Sequence, residues 1–212
     1  MTQEHSRRGW RRKIVAASAM GLAVAGTVGF VRLWNGEPYP VADPATTATR
    51  LDGYTQAVYD ALDLPNAELD TDRPGRGMEA DGYGCSYSGL SHLSEQLSDS
   101  PPIPPGVVNV SDEWALKGVS RAQAVSALQR ARKQLTRRGW EVTGYENSRI
   151  RLWLALKPSD SDDGVWIEAY PANRLEVAAR TADCARYPSG TPLNSLDEPA
   201  MPPQVAPVQL RR

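Results

Sequence analysis

Two serines and a histidine sit close together in one stretch of the chain. Gly84-Cys85-Ser86-Tyr87-Ser88-Gly89 is followed three residues later by His92, and a serine hydroxyl beside an imidazole is the pairing that general-base activation of a nucleophile requires. The stretch falls one residue short of a nucleophile elbow, because Ser88 stands where the second glycine belongs. Neither a parallel sheet nor the serine, acid, histidine order of a hydrolase follows it. A serine hydrolase using Ser86 or Ser88 with His92 is therefore the alternative reading, and a non-enzymatic domain is the principal one. A second stretch, Asp70-Thr71-Asp72-Arg73-Pro74-Gly75 with Asp81 eleven residues after Asp70, echoes a calcium loop. Pro74 has no side-chain ligand to offer and Asp81 replaces the bidentate glutamate, so the stretch reads as a turn. No metal or other cofactor is expected.

Cys85 and Cys184 are the two cysteines of the chain. They lack the CxxC spacing of metal and redox motifs, and His92 is the one histidine beyond the N-terminal segment, so zinc would be short of ligands. A disulfide between them is the expectation, in a compartment where disulfides persist.

Two further sets of residues suit binding. Trp153, Trp166 and Tyr170 alternate with the apolar residues of their segments and so share the other face of a sheet, with Arg151, Glu168 and Arg180 among them. Large aromatics on a nominal solvent face suit a ligand or partner, unless a helix covers them. Arg130, Lys133 and Arg137 line up on a helix opposite its apolar stripe, where they would suit an anionic envelope polymer, a phospholipid or an acidic partner, or simply form a solvated face.

The elements that carry these residues follow from periodicity. Thr46 to Leu62 reads as a helix with Leu51, Tyr54, Val58 and Leu62 on one face, stopped by Pro65. Its apolar stripe makes it the natural cover for the aromatic sheet face. Ser86 to Gly106 ends in Pro101-Pro102-Ile103-Pro104-Pro105 and reads as a loop. Glu113 to Val119 forms a strand, and Ser120 with Gln123 makes a capping box for a helix that runs to Arg138 and stops at Gly139. Trp140 to Tyr145, Arg149 to Lys157, Val165 to Tyr170 and Leu175 to Thr181 read as strands, with Ile150, Leu152, Leu154 and Leu156 on one side of the second. Their short connections make them largely antiparallel. The expected fold class is α+β: a two-layer sandwich of a mainly antiparallel sheet with the Ser120 helix packed on its leucine face, plus a second helix whose partner the pattern leaves open.

Location comes from charge. The 212 residues carry a net charge of −1, which excludes a strongly basic nucleic-acid binder, yet residues 1 to 36 hold +5 and the remainder −6. Ile14 to Val31 is 18 residues without a charge, and Ile14 to Trp34 reaches roughly 30 Å as a helix, the thickness of a hydrocarbon core. The expected organisation is a basic cytoplasmic tail (1–13), a transmembrane helix (14–34), a proline-containing stalk (35–45), an extracytoplasmic domain (46–187) and a disordered proline-rich tail (188–212). Cleavage near Ala25 would instead release a secreted domain.

With twenty arginines against four lysines, one phenylalanine and four isoleucines, the chain carries the bias of a GC-rich genome. Together with the single span, stalk and two-cysteine domain, it resembles single-pass, membrane-anchored envelope proteins of unknown function from high-GC Gram-positive bacteria. The resemblance implies location at the cell envelope and names no activity. The expected partners are the membrane, through residues 14–34, and envelope proteins or an anionic envelope polymer.

Overall fold

Strand β3, Val107–Lys117, is the frame to which the rest of the sheet is fitted. The computed structural model describes residues 30–36, 38–72, 77–207 and 210. On one edge of β3, β1 (Glu68–Leu69) and β2 (Gly77–Asp81) pair end to end; on the other lies β7 (Arg174–Arg180). Thr181 N donates to Val110 O, and β8 (Ala185–Arg186) then pairs with Val107 and Val108. Beyond β7 come β6 (Gly164–Tyr170), β5 (Leu152–Lys157) and β4 (Glu141–Asn147), all antiparallel to their neighbours. The chain is thus α+β, with a mainly antiparallel open sheet.

The alternation read from the sequence is the alternation of burial: Leu152, Leu154, Leu156, Val165, Ile167, Leu175 and Val177 form the covered face. Ile150 departs from that reading. It stands at the β4–β5 hairpin, 96% exposed, because pairing with β4 begins at Leu152 and the chain turns before it. The start of β3 also lies earlier than Glu113. Val107 to Val110 are buried in succession, so this stretch shows no alternation to betray a strand.

Helix α1, Pro44–Leu62, starts at Asp43, whose carboxylate accepts from Thr46 N at 2.8 Å. Helix α2, Arg121–Arg137, starts at Ser120 with both halves of the capping box formed, Gln123 Oε1 lying 2.9 Å from Ser120 N. Ser120→Ala is expected to lower stability by about 1 kcal/mol in urea unfolding, since it leaves a first-turn N–H without its cap. Antiparallel steps from β3 through β7, β6 and β5 leave β3 and β4 parallel, so α2 is the crossover between them.

Both helices lie on the leucine face. α2 packs over β4, β5 and β6, while α1 packs beside it over β3 and β7. Tyr54 of α1 meets Trp140 edge-on at 5.7 Å. The expectation that α1 covers the aromatic face is overturned, because the apolar face is wide enough to take two helices and the stripe Leu51, Tyr54, Val58, Leu62 is buried there.

Residues 39–85 and 105–212 form one compact unit, which holds all of this; the other comprises 1–38 and 86–104. In the smaller unit, residues 30–35 are helical, as are Leu90–His92 and Leu93–Gln96, and Ser91 Oγ donates to Trp34 O at 2.8 Å. The expected membrane span falls mostly on residues outside those described. Among the described residues, no helix is long and apolar enough to cross a membrane.

The tail read as disordered has definite partners over its described part. Ala200 N donates to Pro192 O at 2.8 Å, and Met201, Ala206 and Leu210 pack against the core. Gln204 reaches β3, where it donates to Asp112 Oδ1 at 2.7 Å and to Glu113 O at 2.9 Å.

Candidate functional site

With both helices on one side, the other side of the sheet carries the aromatic set. Register brings its residues into rows. One row runs Glu146, Trp153, Glu168, Glu176, Ala115, and the next runs Gly144, Ala155, Trp166, Ala178, Glu113. Trp166 therefore stands between two alanines, whereas Trp153 is held in place. The Trp153 indole N–H lies 3.3 Å from Glu146 Oε2, and the Arg151 guanidinium stacks 4.6 Å from its ring centre. Arg151 is itself fixed by a two-pronged pair with Glu168, at 2.8 and 3.0 Å, which raises the guanidinium pKa further.

Gly144 is the seat of this arrangement. A Cβ there would lie 2.4 Å from Cη2 of Trp153, at ordinary backbone angles, so the glycine is required by the indole and not by its own conformation. Gly144→Ala is expected to push Trp153 off the sheet, at about 1 to 3 kcal/mol of stability. A shift in tryptophan emission with the unfolding midpoint would report both effects.

Further along, Tyr170 is paired with Arg174 across β6 and β7 and is 38% exposed, with the guanidinium 5.4 Å from its ring centre. Arg174 also bonds Glu176 at 3.1 Å and approaches Asp70 at 3.4 Å. Burial first and Glu113 second push the Glu176 carboxyl above its ordinary range, against the pull of Arg174. Burial likewise raises the Tyr170 hydroxyl. The face is a patch of aromatics among internally paired charges. It can stack and hydrogen-bond a partner.

No family model, curated protein or solved structure matches the chain.

The basic stripe on α2 does not stay together. Arg130 turns inward and donates to Leu62 O at 2.7 Å and Asp63 O at 3.0 Å, closing the C-terminus of α1. Lys133 and Arg137 remain exposed and line a shallow cleft with Trp140. Arg132, left out of the stripe, lies over the Tyr145 ring at 5.1 Å.

His92 ends a short helical turn and is half-buried, with Nδ1 3.0 Å from Glu95 Oε2 and its ring stacked on Tyr87 at 4.5 Å. Ser86 and Ser88 lie in the same unit of the chain. Asp70 is drawn to Arg174, and Asp81 Oδ1 accepts from Tyr83 N at 2.7 Å, as in a turn. Cys85 and Cys184 form the expected disulfide, with Cα atoms 5.9 Å apart. Beside it, Asn109 and Arg180 both donate to Tyr83 O, at 2.7 and 3.0 Å, and clamp the turn that leads to Cys85.

Glu146, Gly144, Arg174 and Glu176 were not singled out by motif or spacing. The two on β7 alternate with Leu175 and Val177, so the period that found the core face also places them outward.

Proposed function

We propose that the chain is a membrane-anchored, extracytoplasmic, non-enzymatic interaction module of the cell envelope, held by residues 14–34 with its N-terminus in the cytoplasm. The partner is met on the face that carries Trp153, Trp166 and Tyr170. The observation that carries this reading is that α1 and α2 share one side of the sheet, so that among the described residues neither packs on the other side, where Trp153 and Trp166 are half-buried and Tyr170 is exposed. The segregation of +5 before residue 37 from −6 after it supports the orientation, and the disulfide suits an oxidising compartment. His92 is half-buried and its Nδ1 pairs with Glu95, an arrangement that supports the non-enzymatic reading over a serine hydrolase.

Proximity labelling in living cells, from a peroxidase fused after Arg212, tests the proposal. Envelope proteins should be labelled, and Trp166→Ala should lose the strongest of them. Labelling confined to cytoplasmic proteins would overturn both the topology and the role.

A further inference from the structure

We propose that the edge of β3 beside Gly77 is a peptide-binding site for an extended, proline-flanked segment bearing a glutamine, and that the chain's own C-terminal tail occupies it in cis. The receptor is built from three parts. Asp112, 0% exposed, and the Glu113 carbonyl accept the two amide hydrogens of Gln204 at 2.7 and 2.9 Å. Thr55 Oγ1 donates to the other carboxylate oxygen of Asp112 at 2.7 Å, which aims Oδ1 at the tail. Gly77 leaves room for the amide oxygen: at φ +78 it takes a backbone shape suited to glycine, and a Cβ would lie 3.2 Å from Gln204 Oε1.

Two acceptors facing one –NH2 select a primary amide. A carboxylate in its place would be repelled by Asp112, and a methylene would take the Gln204 donor from Asp112 Oδ1, leaving the buried carboxyl with Thr55 on its other oxygen. The occupant suits the site as a ligand. Pro202 and Pro203 precede the glutamine and Pro207 follows it, so the segment is pre-extended and presents few backbone N–H groups that would otherwise pair as a strand. Over residues 203–206 burial alternates as in a docked extended peptide, Pro203 and Val205 facing out and Gln204 and Ala206 half-buried, and Pro207 after them is buried. None of the sheet pairings runs through the tail, so its departure leaves the sheet intact. A tethered segment competes at an effective concentration in the millimolar range, so a peptide in trans enters only as the tail leaves.

The test uses a labelled peptide of residues 200–212 and fluorescence anisotropy. A chain ending at Pro199 should bind it, the full-length chain should bind it at least about tenfold more weakly, and peptides carrying Gln204→Ala or Gln204→Glu should lose about tenfold or more in affinity. Equal binding to both chains, no binding to a folded truncated chain, or indifference to residue 204 would overturn the proposal. Should the truncated chain not fold, the full chain with a protease site placed in the 194–197 turn is cut after folding. Exchange of the released tail for labelled peptide supports the site, and a tail that neither leaves nor exchanges refutes it.

Discussion

Replacing Cys85 and Cys184 together by serine is expected to lower the free energy of unfolding by about 4 to 5 kcal/mol, the chain entropy released when a loop of this length is opened. The two residues are 99 apart in sequence, so the bridge restrains nearly half of the unfolded chain. A domain of ordinary stability has roughly 5 to 15 kcal/mol in all, so the variant should sit near the edge of folding. The damage should be uneven. Strands β5 to β7 are paired on both sides and backed by the helices, whereas β2 is paired on one side only, to β3, and the turn after it is held by the bridge and by the Asn109 and Arg180 clamp. Urea unfolding with and without reductant measures the loss, and hydrogen exchange should show β2 opening first. A loss below about 1 kcal/mol would place the bridge outside the stabilising framework.

Asp112→Ala should cost about 2 to 3 kcal/mol, because the donors of Thr55 and Gln204 lose a buried acceptor. Asp112→Asn should behave differently. Burial pushes the Asp112 carboxyl above its ordinary range, and the hydrogen bonds from Thr55 and Gln204 only partly offset this. A folded-state value above the unfolded one means that the protonated form favours the fold. That contribution is present in full below the unfolded carboxylate range and is lost as pH rises through the raised folded value. Asparagine is never ionised, can still accept from Gln204, and can donate to Thr55, whose hydroxyl can turn to Asp52 O at 3.1 Å. Near neutral pH, Asp112→Asn should therefore equal or exceed the natural chain in stability, with the natural chain gaining on it as pH falls into the carboxylate range. Denaturant midpoints for the two chains across that range check the sign, and a natural chain that gains on the variant as pH rises would refute it.

Local pattern carried the middle of the fold. The leucine alternation of β5, the outward Trp153 and Trp166, and the Ser120 capping box each depend on neighbours within a few residues, and each is legible in the chain. What was hidden depends on distant partners. The apolar stripe of α1 shows that the helix must be covered but not on which side of the sheet, since both sides offered large apolar groups. The place of β3 beside β7 is set by the α2 crossover, whose span leaves no local trace. Arg130 looked like one charge in a solvated row until α1 brought two carbonyls to it. The tail holds too few apolar residues to signal a docked segment, and its anchor is one amide meeting a carboxylate 92 residues away.

On the proposed function, the sheet face that carries Trp166 meets a partner outside the cell. Site-specific photo-crosslinking in living cells tests it most directly, with a photoreactive side chain placed at Trp166 on the sheet face or at Arg137 on the far side of α2. A discrete adduct with an envelope component from position 166, absent from position 137, is the predicted result. Adducts from position 137 alone, or with cytoplasmic proteins only, would contradict the account.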